Sequence, residues 1–246
     1  MAVQEPALLS GRLDAAEQRI ASLGDFAVSH HFSNQSTVAW TSALTFQLYY
    51  ERGRLAELES LMEQFVIEQP ATVIWRAALL SVYAATDRLD DAREHLHTLA
   101  ANDFALVPRD ILWNVSMTGV ARIAGLAGEL EIAERAYDYM LPFRGTVIVA
   151  AGIARGPVAL TLGTAAAALG RFEDAEQLFT ESIDLAERLE APTFVAETRV
   201  RWAETLLDPH GPHDVPRAKD LARQALATAE ELGLGRTAEL SRRVLG

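Results

Sequence analysis

Residues 162–183, LGTAAAALGRFEDAEQLFTESI, contain the pattern that decides the fold. Gly170 follows an alanine-rich stretch, and glycine readily adopts the left-handed backbone conformation that ends a helix. Glu173 and Asp174 follow, and acidic side chains favour the first turn of a helix because its amino terminus carries partial positive charge. Apolar residues then recur at helical spacing, at positions 172, 175, 179 and 183. The stretch therefore predicts two helices joined by a short turn.

The turn phrase of this stretch recurs along the chain. Its five versions are GRLDAAE at 11–17, GRLAELE at 53–59, DRLDDAR at 87–93, GELEIAE at 128–134 and GRFEDAE at 170–176. Apolar residues follow each version at the same helical spacing. Recurrence at intervals of about 34 to 42 residues is typical of repeat proteins, in which each unit is a pair of helices.

Each unit is expected to contain a helix A before the turn and a helix B after it. Four A helices are predicted at 36–51, 71–86, 112–127 and 157–169. The units span 1–33 (partial), 34–70, 71–107, 108–145, 146–191 and 192–234, and a closing helix covers 235–246. The last unit has a lengthened turn, DPHGPHDVP at 208–216. The predicted fold is one all-α domain over 1–246, a right-handed superhelix of antiparallel helix pairs.

Two segments depart from this regular pattern. TVIVA at 146–150 has strand-like composition, but no partner strand is evident, so a loop or the start of a helix is expected there. Residues 7–9 are too few to form a helix A for the first helix B. We therefore expect that helix to expose an apolar stripe, which favours pairing with a second copy of the chain. The missing helix A also leads us to expect that the chain is part of a longer protein.

The 162–183 stretch closely resembles a tetratricopeptide repeat, with Leu162, Gly163, Ala166, Gly170 and Phe179 at the signature spacing of the family. The longer period resembles the tetratricopeptide-like region of the maltose-activator and LuxR-type regulators. The segments 103–113, 133–143 and 196–207 also occur in similar order in bacterial signal-transduction ATPases and cyclase-linked ATPases. The resemblance implies a carboxy-terminal helical array of a transcriptional or signal-transduction regulator.

The composition of the chain and the motifs that it lacks argue against several classes of function. The net charge of −12 disfavours nucleic-acid binding, and the chain has no cysteine for disulfides or thiolate chemistry. The longest apolar stretch, 146–154, is too short for a membrane span, and no signal peptide is evident, so a cytoplasmic protein is expected. No phosphate-binding loop, HExxH or GxSxG motif occurs. We therefore expect no enzyme activity, no cofactor and no metal; His210 and His213 are interpreted as turn residues rather than ligands.

The remaining functional signal is recognition in the concave groove that A helices line in such arrays. The candidate ligand-binding residues, all on predicted A helices, are Tyr50, Arg76, Trp113, Asn114 and Arg122. For Trp113, packing in the core is the stronger alternative. The predicted function is non-catalytic binding of a protein, a peptide or a small effector. The alternatives are a segment of a multidomain cyclase or ATPase and a self-assembly module. A buried cluster of ionisable side chains arranged for catalysis would contradict this prediction.

Overall fold

A computed structural model describes residues 6–29, 35–150, 153–208 and 211–246. Within these ranges the protein is mostly helical. The helices are α1 (Pro6–Leu9), α2 (Leu13–Ser29), α3 (Gln35–Glu51), α4 (Glu59–Glu68), α5 (Val73–Ala85), α6 (Leu89–Phe104), α7 (Trp113–Ala127), α8 (Leu130–Met140), α9 (Val158–Ala168), α10 (Phe172–Arg188), α11 (Pro192–Leu206), α12 (Val215–Leu232) and α13 (Gly235–Leu245). Short 3-10 turns cover Leu55–Leu58 and Leu141–Phe143.

The recurring phrase forms the turns between helices, as predicted. Gly11, Gly53, Gly128 and Gly170 have φ angles of 71° to 75°, and Asp87 adopts a similar left-handed conformation with a φ of 56°. The amide of the residue that follows the left-handed residue bonds back to the preceding helix, for example Arg171 N–H to the carbonyl of Ala166 at 2.9 Å. These bonds satisfy carbonyl groups that a helix end would otherwise leave unpaired.

Most helices pack against their neighbours in the chain, and the A helices α5, α7, α9 and α11 contact one another in succession. Small residues allow close approach. A Cβ atom added at Gly163 would lie 2.7 Å from the ring of Phe179, so α9 and α10 meet at this glycine. The main apolar core runs through these pairs and includes the fully buried Leu80, Met117 and Leu162.

The expectation of a loop or helix at 146–150 is wrong. Val147–Ala150 forms strand β1, which pairs antiparallel with strand β2 at Ile153–Pro157. The β-branched residues of β1 favour extended backbone, and the partner strand follows almost immediately in the sequence. The ladder carries one irregularity, between Ile148 and Val149. This hairpin leads directly into α9 and contributes Arg155 to the site described below.

Helices from the two ends of the chain pack together. Helix α1 contacts α11, and α13 contacts α3. A second apolar cluster joins residues from both ends, among them Leu13, Ala16, Leu48, Leu234 and Ala238.

The predicted exposed stripe on the first helix B is therefore wrong at its first two positions, because Leu13 and Ala16 are only 5% and 0% exposed. The cause is a contact between distant parts of the sequence. An added Cβ at Gly235 would lie 2.3 Å from the carbonyl oxygen of Arg52, so the α12–α13 turn lies directly against the turn after α3. The homodimer expected at this helix stays a prediction. The exposed stripe from which it was inferred is partly covered by other helices of the same chain.

No helix in the described ranges combines the length and the apolar composition that crossing a bilayer requires.

Candidate functional site

A cavity of about 490 Å³ lies between the A helices. Helices α3, α5, α7, α9 and α11 all contribute to its walls, together with α4 and the β-hairpin. Much of the lining is apolar and aromatic, including Phe46, Leu61, Phe65, Trp75 and Val115. Phe65 and Trp75 form a tilted aromatic pair with ring centroids 4.7 Å apart. The volume is within the range of small-molecule sites.

Ionisable side chains also line this cavity and form a buried cluster, which the sequence did not predict. Tyr50, Arg122, Arg155, Glu197 and Arg201 all reach the lining. Glu197 and Arg201 are only 6% and 7% exposed. They lie four residues apart on α11, so both project from one face of a helix that is buried in the array.

Glu197 is bound by two donors from distant helices. The Tyr50 hydroxyl donates a hydrogen bond of 2.5 Å to Oε1 of Glu197. Arg236 Nη1 lies 2.9 Å from the same oxygen and 2.8 Å from the Tyr50 hydroxyl oxygen. The Arg236 guanidinium also covers the Tyr50 ring, 4.3 Å from its centroid.

These contacts shift the pKa values of both acids. Burial alone would raise the pKa of Glu197, but Arg236, Arg201 and the hydrogen bond from Tyr50 hold it below its usual value. Burial raises the pKa of Tyr50. Both effects favour an ionised Glu197 that accepts hydrogen bonds from a protonated tyrosine.

Two arginines at the cavity form no ion pair with any carboxylate in the described parts of the chain. Arg122 Nη2 reaches only the Ser81 hydroxyl, at 3.5 Å, and its Nη1 is buried with no hydrogen-bond partner. Arg155 lies over the ring of Phe46, 5.0 Å from its centroid. Burial lowers the pKa of both guanidinium groups. The third arginine, Arg201, binds Glu204 at 2.7 Å, although its Nε has no partner.

A second carboxyl group lies behind the lining. Glu51 is 4% exposed and accepts a 2.7 Å hydrogen bond from Nε2 of Gln47. Burial, and then the nearby charge of Glu197, raise the pKa of Glu51 to about 8. The carboxyl group is therefore largely protonated at neutral pH. Gln47, unlike Glu51, lines the cavity. Its amide oxygen is buried without a hydrogen-bond partner.

The five residues predicted for the groove lie in different places. Tyr50 and Arg122 line the cavity. Arg76 is outside it, with Nη1 3.1 Å from Nδ1 of His95 on α6. Asn114 is partly buried and does not reach the cavity.

Trp113 is also absent from the main cavity. It is 8% exposed and lines a separate cavity of about 240 Å³ with Phe104, Met117 and Tyr139. Arg109 lies over the rings of Trp113 and Tyr139, at 5.0 and 5.2 Å from their centroids. The burial of Trp113 agrees with the alternative of a core position.

Sequence reasoning did not single out Gln47, Arg155, Glu197, Arg201 or Arg236. For Glu197 and Arg201 a signal existed, because two charged residues four positions apart interrupt the apolar face of an A helix. Arg155 offered no such signal, since its hairpin was not predicted.

No group of three or more metal-binding side chains occurs in the described ranges, and His210 lies outside them. No family model, curated protein or solved structure matches the chain.

Proposed function

We propose that the chain is a non-catalytic, effector-sensing helical-repeat domain whose ligand binds in the cavity between the A helices. The observation that carries the proposal is the cavity itself, which combines apolar walls with buried arginines. Pockets that are mostly apolar with a few well-placed polar groups are typical ligand sites.

We also propose how the helix pairs are arranged. We take the helix pairs to form a tetratricopeptide-like right-handed superhelix, supported by the recurring turn phrase and by contacts between successive A helices. The assignment to a cytoplasmic transcriptional or signal-transduction regulator is supported only by the resemblance of residues 162–183 and of the ordered segments 103–113, 133–143 and 196–207.

A binding role suits the ionisable cluster better than a catalytic one. Glu197 is held by Tyr50 and Arg236, which lower its basicity, so it is a poor general base. Glu51 has a raised pKa but does not line the cavity, so it does not reach a bound molecule.

Ligand binding would act on the contacts that join the ends of the chain. The cavity is lined by Tyr50 and Glu197, and both bind Arg236 of α13. A ligand that favours this closed arrangement would shift the population toward it, and a domain attached to either end would sense the shift.

A thermal-shift screen with small amphiphiles and short peptides tests the proposal. We expect at least one compound to raise the melting temperature of the wild type and to lose this effect in Ala78→Phe, which fills the cavity from α5. Thr180→Phe, on the exposed surface of α10, is the control and is expected to retain the effect. Stabilisation that survives in Ala78→Phe, or no stabilisation by any compound, would overturn the proposal.

A further inference from the structure

We infer that the ligand is an amphiphile with one anionic oxygen head group, bound by Arg122 and Arg155, and with an apolar body that contacts the aromatic wall. This inference rests on the proposed function and specifies the ligand class of the same cavity. Three observations support it: the charge balance of the lining, its unpartnered hydrogen-bonding atoms and the composition of the remaining wall.

The charge balance leaves two guanidinium groups uncompensated. Arg236 pairs with Glu197 at 2.9 Å, and Arg201 pairs with Glu204 at 2.7 Å. Arg122 and Arg155 have no such partner in the described part of the chain, and Glu51, the other buried carboxyl group nearby, is largely protonated at neutral pH because its pKa is raised. A buried charge without a counter-charge is costly, so an anion that reaches these arginines would be stabilised there.

The unpartnered guanidinium donors, rather than the unpartnered amide oxygen of Gln47, specify the chemistry of the head group. A guanidinium group donates hydrogen bonds and accepts none, so the free Nη1 of Arg122 requires an acceptor. Carboxylate and phosphate oxygens match the fork of an arginine side chain. A cationic head would instead meet two arginines without ion-pair partners, while Glu197, the one carboxylate that the described residues place on the lining, is already bound by Tyr50 and Arg236.

The rest of the cavity is suited to an apolar body. Phe46, Phe65, Trp75 and Val115 belong to its lining. Phe46 also lies under the Arg155 guanidinium, so the aromatic wall begins directly beside the charged group. A volume of about 490 Å³ is within the range of sites for single small molecules, so it suits a medium-length acyl chain rather than a folded peptide.

Four ten-carbon probes below their micellar concentrations separate the possibilities: decanoate, decyl phosphate, 1-decanol and decyltrimethylammonium. Isothermal titration calorimetry measures their affinities for the full chain. We expect an anionic probe to bind at least ten-fold more tightly than 1-decanol, and the cation to bind more weakly than 1-decanol. The comparison of decanoate with decyl phosphate identifies which anionic head the site prefers.

The variants Arg122→Gln and Arg155→Gln are each expected to lose at least ten-fold in affinity for the anionic probe while their affinity for 1-decanol is unchanged. Arg109→Gln, at the separate Trp113 cavity, is the matched control and is expected to bind like the wild type. Because Arg122 is uncompensated, Arg122→Gln is also expected to raise the melting temperature of the ligand-free protein, which a purely structural arginine would not do.

The outcomes distinguish this inference from the proposed function. If 1-decanol binds in the cavity as tightly as both anions, or if neither arginine variant weakens anion binding, the inference is wrong and the effector cavity stands. If the cation binds most tightly, the inference is likewise wrong. If no probe binds and the broader screen also finds no ligand sensitive to Ala78→Phe, both are wrong.

Discussion

Tyr50 and Glu197 are 147 positions apart in the sequence, yet the hydroxyl of Tyr50 donates a 2.5 Å hydrogen bond to the carboxylate of Glu197. This bond joins α3 to α11, and Arg236 adds α13 through contacts with both side chains. The three residues therefore connect α3 to α11, the last A helix, and to the closing helix α13. Tyr50 and Glu197 also line the cavity, whereas Arg236 lies behind them.

Removing Arg236 is expected to weaken the closure of the chain ends. Arg236→Ala leaves the buried Glu197 carboxylate without its ion-pair partner, which we expect to lower the free energy of unfolding by about 3 kcal/mol. Chemical denaturation measures the change. Arg242→Ala is the matched control, because Arg242 lies on the same helix in an exposed pair with Glu230, and its loss is expected to cost under about 1 kcal/mol. Equal losses of unfolding free energy in the two variants would show that the buried Arg236–Glu197 pair contributes no more than the exposed Arg242–Glu230 pair.

The Tyr50 hydroxyl makes a smaller contribution. Tyr50→Phe keeps the ring under Arg236 and the Arg236–Glu197 pair. It removes the hydrogen bond that Tyr50 donates to Glu197 and the one that its hydroxyl oxygen accepts from Arg236, at an expected cost of about 1–3 kcal/mol. Tyr139→Phe provides the comparison, because the hydroxyl of Tyr139 bonds to Asp103 at an exposed position. A greater loss of stability in Tyr139→Phe than in Tyr50→Phe would refute this account of the network.

The close approach of α9 and α10 makes a third prediction. Gly163→Ala places a methyl group 2.7 Å from the Phe179 ring, and we expect this overpacking to cost about 1–3 kcal/mol. Gly119→Ala is the control on another A helix, where the nearest atom to an added Cβ is 4.0 Å away. Since alanine favours helix more than glycine, Gly119→Ala is expected to be neutral or slightly stabilising. Thermal unfolding measures both changes. If Gly163→Ala were at least as stable as Gly119→Ala, the close approach of α9 and α10 would be contradicted.

Burial of Glu51 predicts a specific pH dependence. Burial and the charge of Glu197 raise its pKa from 4.5 to about 8 in the folded protein, against the lowering effects of Gln47, Arg236 and Arg155. Between these two values the folded state holds a proton that the unfolded state releases, so stability falls as pH rises from about 4.5 to about 8, by at most about 1.4 kcal/mol per pH unit.

The variant Glu51→Gln removes this titration while the amide oxygen still accepts from Gln47. We expect Glu51→Gln to be more stable than the wild type at pH 8 and to show a shallower loss of stability between pH 5 and pH 8. Glu187→Gln, at an exposed position on α10, is the control. Denaturation curves across this range check the slope, and a wild-type slope retained in Glu51→Gln would show that another group is responsible.

The features that were predicted from the sequence are those determined by residues close together in the chain. The glycine turns and the apolar spacing after them predicted both ends of α9 and the start of α10 to within a residue or two, because capping and helical periodicity act within one unit. The same reasoning identified Tyr50 and Arg122, which line the cavity, since both lie on A helices.

The elements it missed depend on contacts between distant residues. The contact between Arg52 and Gly235 that closes the ends has no periodic signature, and neither does the meeting of Tyr50, Glu197 and Arg236. Arg76 and Trp113 were chosen on the same argument as Arg122, yet they face His95 and a separate cavity, because the rotation of each A helix decides which side chains point inward. That rotation depends on packing with neighbouring units.

Hydrogen–deuterium exchange of the full chain with and without decanoate or 1-decanol tests most directly whether the cavity between the A helices is the binding site. We expect a bound probe to slow exchange in α3, α5, α7, α9 and α11, with little change in α8, α10 and α12, whose residues do not line the cavity. Protection confined to those B helices, or spread uniformly over the chain at saturating probe, would contradict the proposed site.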